Sequence, residues 1–467
     1  MGQALIARGG GVGGSAKAKV QVIAPLGSTL TISQGDVVFT RDVEVSPVEI
    51  SLGYGVWTFS ASGAATKTIE IDVLKVYEVN VRDVTYGISI DMDNGDPAAA
   101  VTYTDDAVGY SALSCNITGD GSCNYGSWEN AITGFIGCKP CLVKDGARVA
   151  YLNPNNYAQL EDGSEADITS GNAGDVMIEF KKTWYKYGID GKTLTFQISN
   201  YDRSAEGFVC SAFKSMDGTG AVKDYMYFGA YEGYYDGTNC HSLSGKDCIN
   251  WDTYTSYTGW RDACKARGAK YGMEDWAKRY YILGLLMLVT KTRKIQDALG
   301  DGNINDGNEY QTGRINDKGL FFGQNYDSKG CESVKCFGIE NMWGNSYSWC
   351  DGIITLSEST IGFKECAPYN DSGEGYESVT GTPQGTSGCI TSMKPILGGA
   401  ALTWTAVQSD YTQGWADVGD ADDYSGFVAN VGGYYSDDAS LAGPFYVSVW
   451  LIPGLEYVDC SGRLVCA

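Results

Sequence analysis

Acid–base catalysis and zinc chemistry usually draw on several histidines, and this chain has one, His241, set in Cys240-His241-Ser242 within a Gly/Tyr-rich stretch. That inventory speaks against a hydrolase or a metalloenzyme and leaves carboxylates and thiols as the groups able to do chemistry. Fifteen cysteines are present, an odd number that leaves at least one unpaired if all the others bond. Several stand close in sequence: Cys115/Cys123, Cys138/Cys141, Cys240/Cys248, Cys331/Cys336, Cys350/Cys366 and Cys460/Cys466. Disulfides need an oxidising setting, and no charged-then-apolar secretory leader opens the chain. Cys138-Lys139-Pro140-Cys141 is alternatively half of a zinc site, but no second close pair of that kind completes it. Residues 301–309 (DGNINDGNE) set oxygens at alternate positions, which suits calcium, although the glycine falls one place late for an EF-hand and no glutamate closes the loop. The acidic stretches around Asp91 to Asp96 and Asp105-Asp106 also miss that spacing. The expectation is no cofactor, with calcium the alternative.

Binding chemistry is better represented. Residues 396–467 place Tyr, Phe, Ser and Asp between glycines, at Ser425-Gly426-Phe427, Gly432-Gly433-Tyr434-Tyr435-Ser436-Asp437-Asp438 and Ala442-Gly443-Pro444-Phe445-Tyr446. Such residues combine large contact area at low entropic cost with adaptable hydrogen bonds, as paratopes and sugar-binding loops do. Tyr446, Val447 and Val449 equally suit a closing strand.

The elements that must carry these groups are mostly short. With 467 residues, 43% of them hydrophobic and 12% aromatic, the chain can bury cores for two to four domains. Sixty-two glycines against ten prolines, with 32 tyrosines, indicate many turns and short strands. A net charge of -23 disfavours nucleic acid or an anionic membrane as partner. Residues 1–16 (MGQALIARGGGVGGSA) read as a flexible leader. Residues 17–82 alternate in short apolar runs separated by turns, which predicts a small β-sandwich spacer. Helical spacing occurs only at residues 258–268 and 273–299, the second with Trp276, Tyr280, Leu283 and Met287 on one side. Its apolar run is far too short to cross a bilayer, so no membrane insertion is expected.

Residues 338–352 (GIENMWGNSYSWCDG) space two tryptophans between glycines, which suits a tight strand whose large rings fill a core. Gly338, Glu340, Asn341, Trp343, Gly344, Asn345, Trp349 and Asp351 form a motif that resembles the centre of C-type-lectin-like domains at the ends of bacteriophage tail fibres, a branch related to formylglycine-generating enzymes. Val101-Thr102-Tyr103-Thr104-Asp105-Asp106-Ala107-Val108-Gly109, with the Lys139-Pro140-Cys141-Leu142-Val143-Lys144-Asp145-Gly146 run, resembles the opening of the same tail domain. The 432–446 stretch and Ser461-Gly462-Arg463-Leu464 resemble its last segment, including versions diversified by retroelements. Gly53-Tyr54-Gly55-Val56-Trp57-Thr58-Phe59 resembles the immunoglobulin-like modules of phage tail proteins.

The resemblance implies an α+β fold: an immunoglobulin-like sandwich over residues 17–82, then a C-type-lectin-like domain with two helices over 83–467, its binding loops within about 396–467. It makes Tyr434, Tyr435, Ser436, Asp437, Asp438, Ser440, Ser448 and Trp450 the candidate partner contacts. After Tyr446 the chain departs from the usual pattern, with a Trp450-Leu451-Ile452-Pro453 run and the Cys460/Cys466 pair. The implied function is attachment of a virion, at its tail fibre or tail tip, to a host-cell surface glycan or protein. Other tail proteins are further expected partners, with trimerisation by analogy with fibres although no heptad run supports it. A virion protein folded in the cytoplasm and later exposed outside would reconcile many cysteines with the missing leader. The alternatives are a bacterial surface adhesin, for which no export signal or anchor is visible, and an enzyme of the formylglycine-generating type, whose C-terminal Arg/Asn/Cys pattern has no counterpart here.

Overall fold

The computed structural model describes residues 17–24, 28–61, 67–249, 255–304, 307–325, 333–358, 360–409, 415, 417–437 and 442–467. The chain divides into two compact units, residues 1–85 with 199–201, and 86–198 with 202–467.

In the first unit, alternating apolar residues build seven strands: β1 (Ala18–Ile23), β2 (Thr29–Gln34), β3 (Val37–Asp42), β4 (Val48–Leu52), β5 (Gly55–Ala61), β6 (Lys67–Ile71) and β7 (Val76–Asn80). They form two sheets, β4-β1-β7 and β3-β2-β5-β6. Val20, Val22, Leu30, Ile32, Ile50, Trp57 and Phe59 point into one shared core, as the period of two requires. The β1/β7 pairing is parallel and the β1/β4 pairing antiparallel.

The second unit is dominated by sheets. One of seven strands runs, in spatial order, Asn156–Leu160, Ala147–Asn153, Lys139–Lys144, Asp175–Lys181, Tyr225–Gly229, Leu464–Cys466 and Tyr271–Met273. The largest includes Tyr347–Ser357, Val428–Val431, Val447–Leu451, Thr386–Ile396 and Ala401–Gln408. Helix α1 (Tyr257–Ala266) starts at Ser256, whose side chain accepts from the Gly259 N–H, an ordinary N-cap. Helix α2 (Trp276–Thr290) is capped likewise by Asp275. Every residue of α2 is buried, consistent with apolar residues on all its faces. Its two cations are matched inside the protein: Lys278 Nζ lies 2.8 Å from Asp275 Oδ2 and Arg279 Nη1 2.9 Å from Glu274 Oε1.

This architecture corrects the α+β expectation. The chain is mostly β, with 42% strand and 11% helix in many sheets, which does not fit a C-type-lectin-like fold with two helices behind an immunoglobulin-like sandwich. Part of the reason is local. The second helical stretch was expected to run to Leu299, but Lys291 takes a left-handed conformation (φ 54°) and its N–H returns to Met287 O, ending α2. Only a four-residue turn of helix, α3 (Gln296–Leu299), follows, and Met273 at the other end belongs to a strand.

Candidate functional site

The 338–352 stretch lies at the centre of the second unit, and its parts do different jobs. Ile339–Glu340 is a two-residue strand, residues 341–346 turn, and Tyr347–Ser357 is a long strand of the largest sheet. The turn depends on three left-handed residues, Asn341 (φ 48°), Gly344 (φ 73°) and Asn345 (φ 63°). Asparagine and glycine tolerate that region best. At Gly344 a Cβ would also sit 2.9 Å from the backbone N and O of Asn303, a clash that restricts the position to glycine.

Around this turn the polar side chains face one another, away from water. Asn345 Nδ2 donates to Glu232 Oε2 at 2.7 Å and Asn341 Nδ2 to the same oxygen at 3.2 Å. Asn345 Oδ1 accepts from Asn303 Nδ2 at 2.8 Å and from the Tyr310 N–H at 2.7 Å. Burial pushes the Glu232 carboxyl up to about 8, with Arg463 pulling in the opposite direction. Glu340 accepts from the Gly313 N–H at 2.7 Å, and burial raises its carboxyl too. Arg463 donates to three carbonyl oxygens, Gly229 at 3.2 Å, Glu340 at 3.1 Å and Asn341 at 2.7 Å. Trp343 Nε1 reaches Gly300 O at 3.2 Å, and the Trp349 ring meets Tyr257 edge-on at 5.6 Å. Asp351 accepts from Tyr257 OH at 2.5 Å and from Arg261 Nε at 2.9 Å. The motif residues are therefore structural: they knit α1, residues 300–304 and 307–310, and the C-terminal strands into one interior.

One side of this interior reaches the surface. The backbone O of Asn345 accepts from the Tyr435 N–H at 3.2 Å, and Asp437 Oδ2 accepts from the Tyr434 N–H at 3.1 Å. Tyr347 stacks on Tyr434 (centroids 4.7 Å, 25°) and on Tyr446 (5.6 Å, 28°), while Tyr434 meets Tyr435 at 5.1 Å and 65°. Four tyrosines thus rise from buried Tyr446 and Tyr347 to the half-exposed rings of Tyr434 and Tyr435. Ordered in advance, such rings lose little further entropy on contact with a partner.

Of the sequence-predicted contacts, Tyr434, Tyr435, Ser436 and Asp437 are brought together in this loop, with Ser436 the most exposed. Asp438 and Ser440 lie outside the described residues. Trp450 is 45% exposed on its strand, whereas Ser448, two residues before it, is 2% exposed. Ser448 pairs in the sheet with Asp420 and Asn430, which leaves it little surface to present. Sequence reasoning missed Tyr347, whose alternation with Trp349 was the available signal, and Tyr424, 63% exposed beside Phe427.

Among the described residues no group of three or more His, Cys, Asp or Glu is placed to hold a metal ion. In the 301–309 segment, Asn305 and Asp306 lie outside the described residues. Asn303 Nδ2 serves Asn345 and Asn308 O, and Glu309 accepts from the Ile249 N–H at 2.8 Å. His241 sits between two carboxylates, Nδ1 3.2 Å from Asp175 Oδ1 and Nε2 3.1 Å from Asp236 Oδ2. Cys115 and Cys123 are disulfide-bonded, and Cys331 lies outside the described residues.

No protein-family model and no curated protein matches the chain. Among solved structures, one titled Major Tropism Determinant U1 Variant aligns with 92% of this chain and 92% of its own, at 10% identity and a TM-score of 0.23. A likeness at that level assigns neither fold nor activity.

Proposed function

We propose that this chain is a receptor-binding protein of a bacteriophage tail fibre or tail tip, attaching the virion to a glycan or protein on the host surface. The observation that supports it is the tyrosine stack of Tyr446, Tyr347, Tyr434 and Tyr435, which delivers two ordered, half-exposed rings beside Ser436 and Asp437 on a rigid interior. Aromatic rings flanked by small polar groups are the commonest anchors of such contacts. The reading takes its phage context from the sequence resemblance of residues 338–352 and 432–446. Other tail proteins as partners, a homotrimer and a place in the virion tail belong to the same proposal, and avidity from several copies would strengthen contacts that are weak singly.

The enzyme alternative finds less support. A formylglycine-generating type of reaction works through accessible thiols, whereas Cys350, Cys460 and Cys248 are buried and burial raises their thiols well above the usual value, which suppresses the reactive thiolate.

The test uses the full chain. Binding to a panel of bacterial strains and to a glycan array is compared between the parent and the Tyr434→Ala/Tyr435→Ala double variant. Loss of the two rings is expected to weaken binding roughly 10- to 100-fold, the usual range for central aromatic anchors. Thermal unfolding should stay within a few degrees, because both rings are half exposed. Equal binding by the two proteins sinks the assignment of this loop, and no binding by either removes the receptor-binding reading.

A further inference from the structure

Two free thiols meet where helix α1 packs against the short hairpin formed by Tyr234–Tyr235 and Cys240–His241. Within the hairpin, Tyr235 pairs across the strands with Cys240. On α1, Trp260 and Cys264 are four residues apart and share one face. The Tyr235 and Trp260 rings lie 5.7 Å apart, which seats the hairpin on that face and sets Cys240 beside Cys264. Gly462 helps permit the approach: its carbonyl oxygen accepts from Cys240 Sγ at 3.7 Å, and a Cβ there would meet the Trp260 side chain at 3.0 Å. Four other cysteines contact different groups. Cys138 donates to Phe337 O at 3.1 Å, Cys210 to Thr183 O at 3.5 Å, Cys248 to Glu309 Oε1 at 3.5 Å, and Cys336 touches Met342 Sδ at 3.9 Å.

We infer that Cys240 and Cys264 are a latent disulfide, a cross-link that a low-molecular-weight disulfide such as oxidised glutathione closes and that clamps α1 to the hairpin. The step is thiol–disulfide exchange. One protein thiolate attacks the small disulfide, forming a mixed disulfide and releasing one small thiol. The second protein thiolate then attacks the protein sulfur of the mixed disulfide, releasing the other. Overall, the two protein thiols lose two electrons and two protons, the S–S bond of the oxidant breaks, and two reduced small thiols leave. Both protein thiols are buried, so attack requires a brief detachment of α1 and is slow in the native protein. The expected consequence is structural. α1 carries Arg261 to Asp351, and Arg267 just past its end pairs with Asp175, so a cross-link at Cys264 holds both ion pairs in place. This inference is independent of the receptor-binding reading, since it concerns only the second unit's interior.

The experiment incubates the full chain with oxidised glutathione in sub-denaturing urea, which speeds the opening. Remaining thiols are then alkylated under denaturing conditions and non-reducing peptides are mapped by mass spectrometry. The expected result is one peptide pair joined through Cys240 and Cys264, lighter by two hydrogen atoms than its reduced form. A rise in Tm on the order of 5 °C should accompany it, vanish on reduction, and be absent in Cys264→Ala and Cys240→Ala. Recovery of both residues as alkylated thiols, or of either joined to a different cysteine, overturns the inference. The map needs no variant, so a misfolded alanine variant does not spoil the test.

Discussion

Asp351→Ala lowers the free energy of unfolding by about 3 kcal/mol, the lower end of the range for breaking a buried ion pair by removing one partner. Asp351 is buried, and its carboxylate accepts from Tyr257 OH and Arg261 Nε, with Arg261 Nη2 2.8 Å away. Removing it strands the Arg261 guanidinium, itself 4% exposed, and leaves the Tyr257 hydroxyl without its acceptor. The loss stays at the low end because Asp371, 35% exposed in its side chain, also pairs with Arg261. Asp371→Ala should therefore cost only about 1 kcal/mol, in the range of surface pairs. Urea unfolding of the two variants checks the order, with an unchanged m-value expected. The charge is the cause, so Arg261→Met/Asp351→Leu should recover most of the stability lost in Asp351→Ala. If the double variant is as unstable as the single one, packing rather than charge explains the loss.

The second large effect concerns pH. Glu232 is held up to about 8 by burial, from 4.5. Its folded pKa lies above its unfolded one, so the folded state binds the proton more tightly, and stability falls as pH rises from about 4.5 to about 8. One such group contributes at most about 1.4 kcal/mol per pH unit within that window, up to about 5 kcal/mol across it. Asp417 and Glu309, both raised to about 7 by burial, act with the same sign below pH 7. Lys335 acts in the opposite sense above neutrality, since burial lowers its amine. Glu232→Gln keeps the side chain's shape and stays neutral. It should flatten the stability profile between pH 5 and 8 and leave the protein more stable than the parent at pH 9. Urea midpoints at pH 5, 7 and 9 decide this, and parallel profiles for parent and variant would show that Glu232 is not the titrating group.

How much of this was legible in the sequence differs from residue to residue. The 338–352 stretch stood out because tryptophans spaced between glycines suit a tight core strand, which Tyr347–Ser357 is, whereas residues 341–346 form a turn through the left-handed Asn341, Gly344 and Asn345. That residues 18–80 are built of short strands followed from period-two alternation. The helix ending at Lys291 rather than at Leu299 was hidden, because helical spacing continues past it while the stop depends on one backbone conformation. The 301–309 segment reads as an ion loop from its residue types, whereas the bond from its Asn303 Nδ2 to Asn345 Oδ1 is visible only in the structure. Ser448 and Trp450 looked equivalent in the sequence, one residue apart from Val449. In the structure Trp450 is largely exposed and Ser448 buried, because the sheet covers the two positions unequally and alternation alone does not say how.

The sequence by itself determined the local preferences: short alternating strands, helical spacing near residues 258–268 and from 273 onward, and a Tyr/Ser/Asp-rich loop suited to binding. These depend on residues within a few positions of one another, so propensity and periodicity carry them. The fold class was decided only by the tertiary structure, which is mostly β where an α+β domain was expected. So were the partners of buried groups, among them Glu232 with Asn341 and Asn345, Arg261 with Asp351, and Cys240 with Cys264. Those pairs join residues 24 to 113 positions apart, and their meeting is set by strand pairing and close packing, for which nearest-neighbour chemistry holds no record.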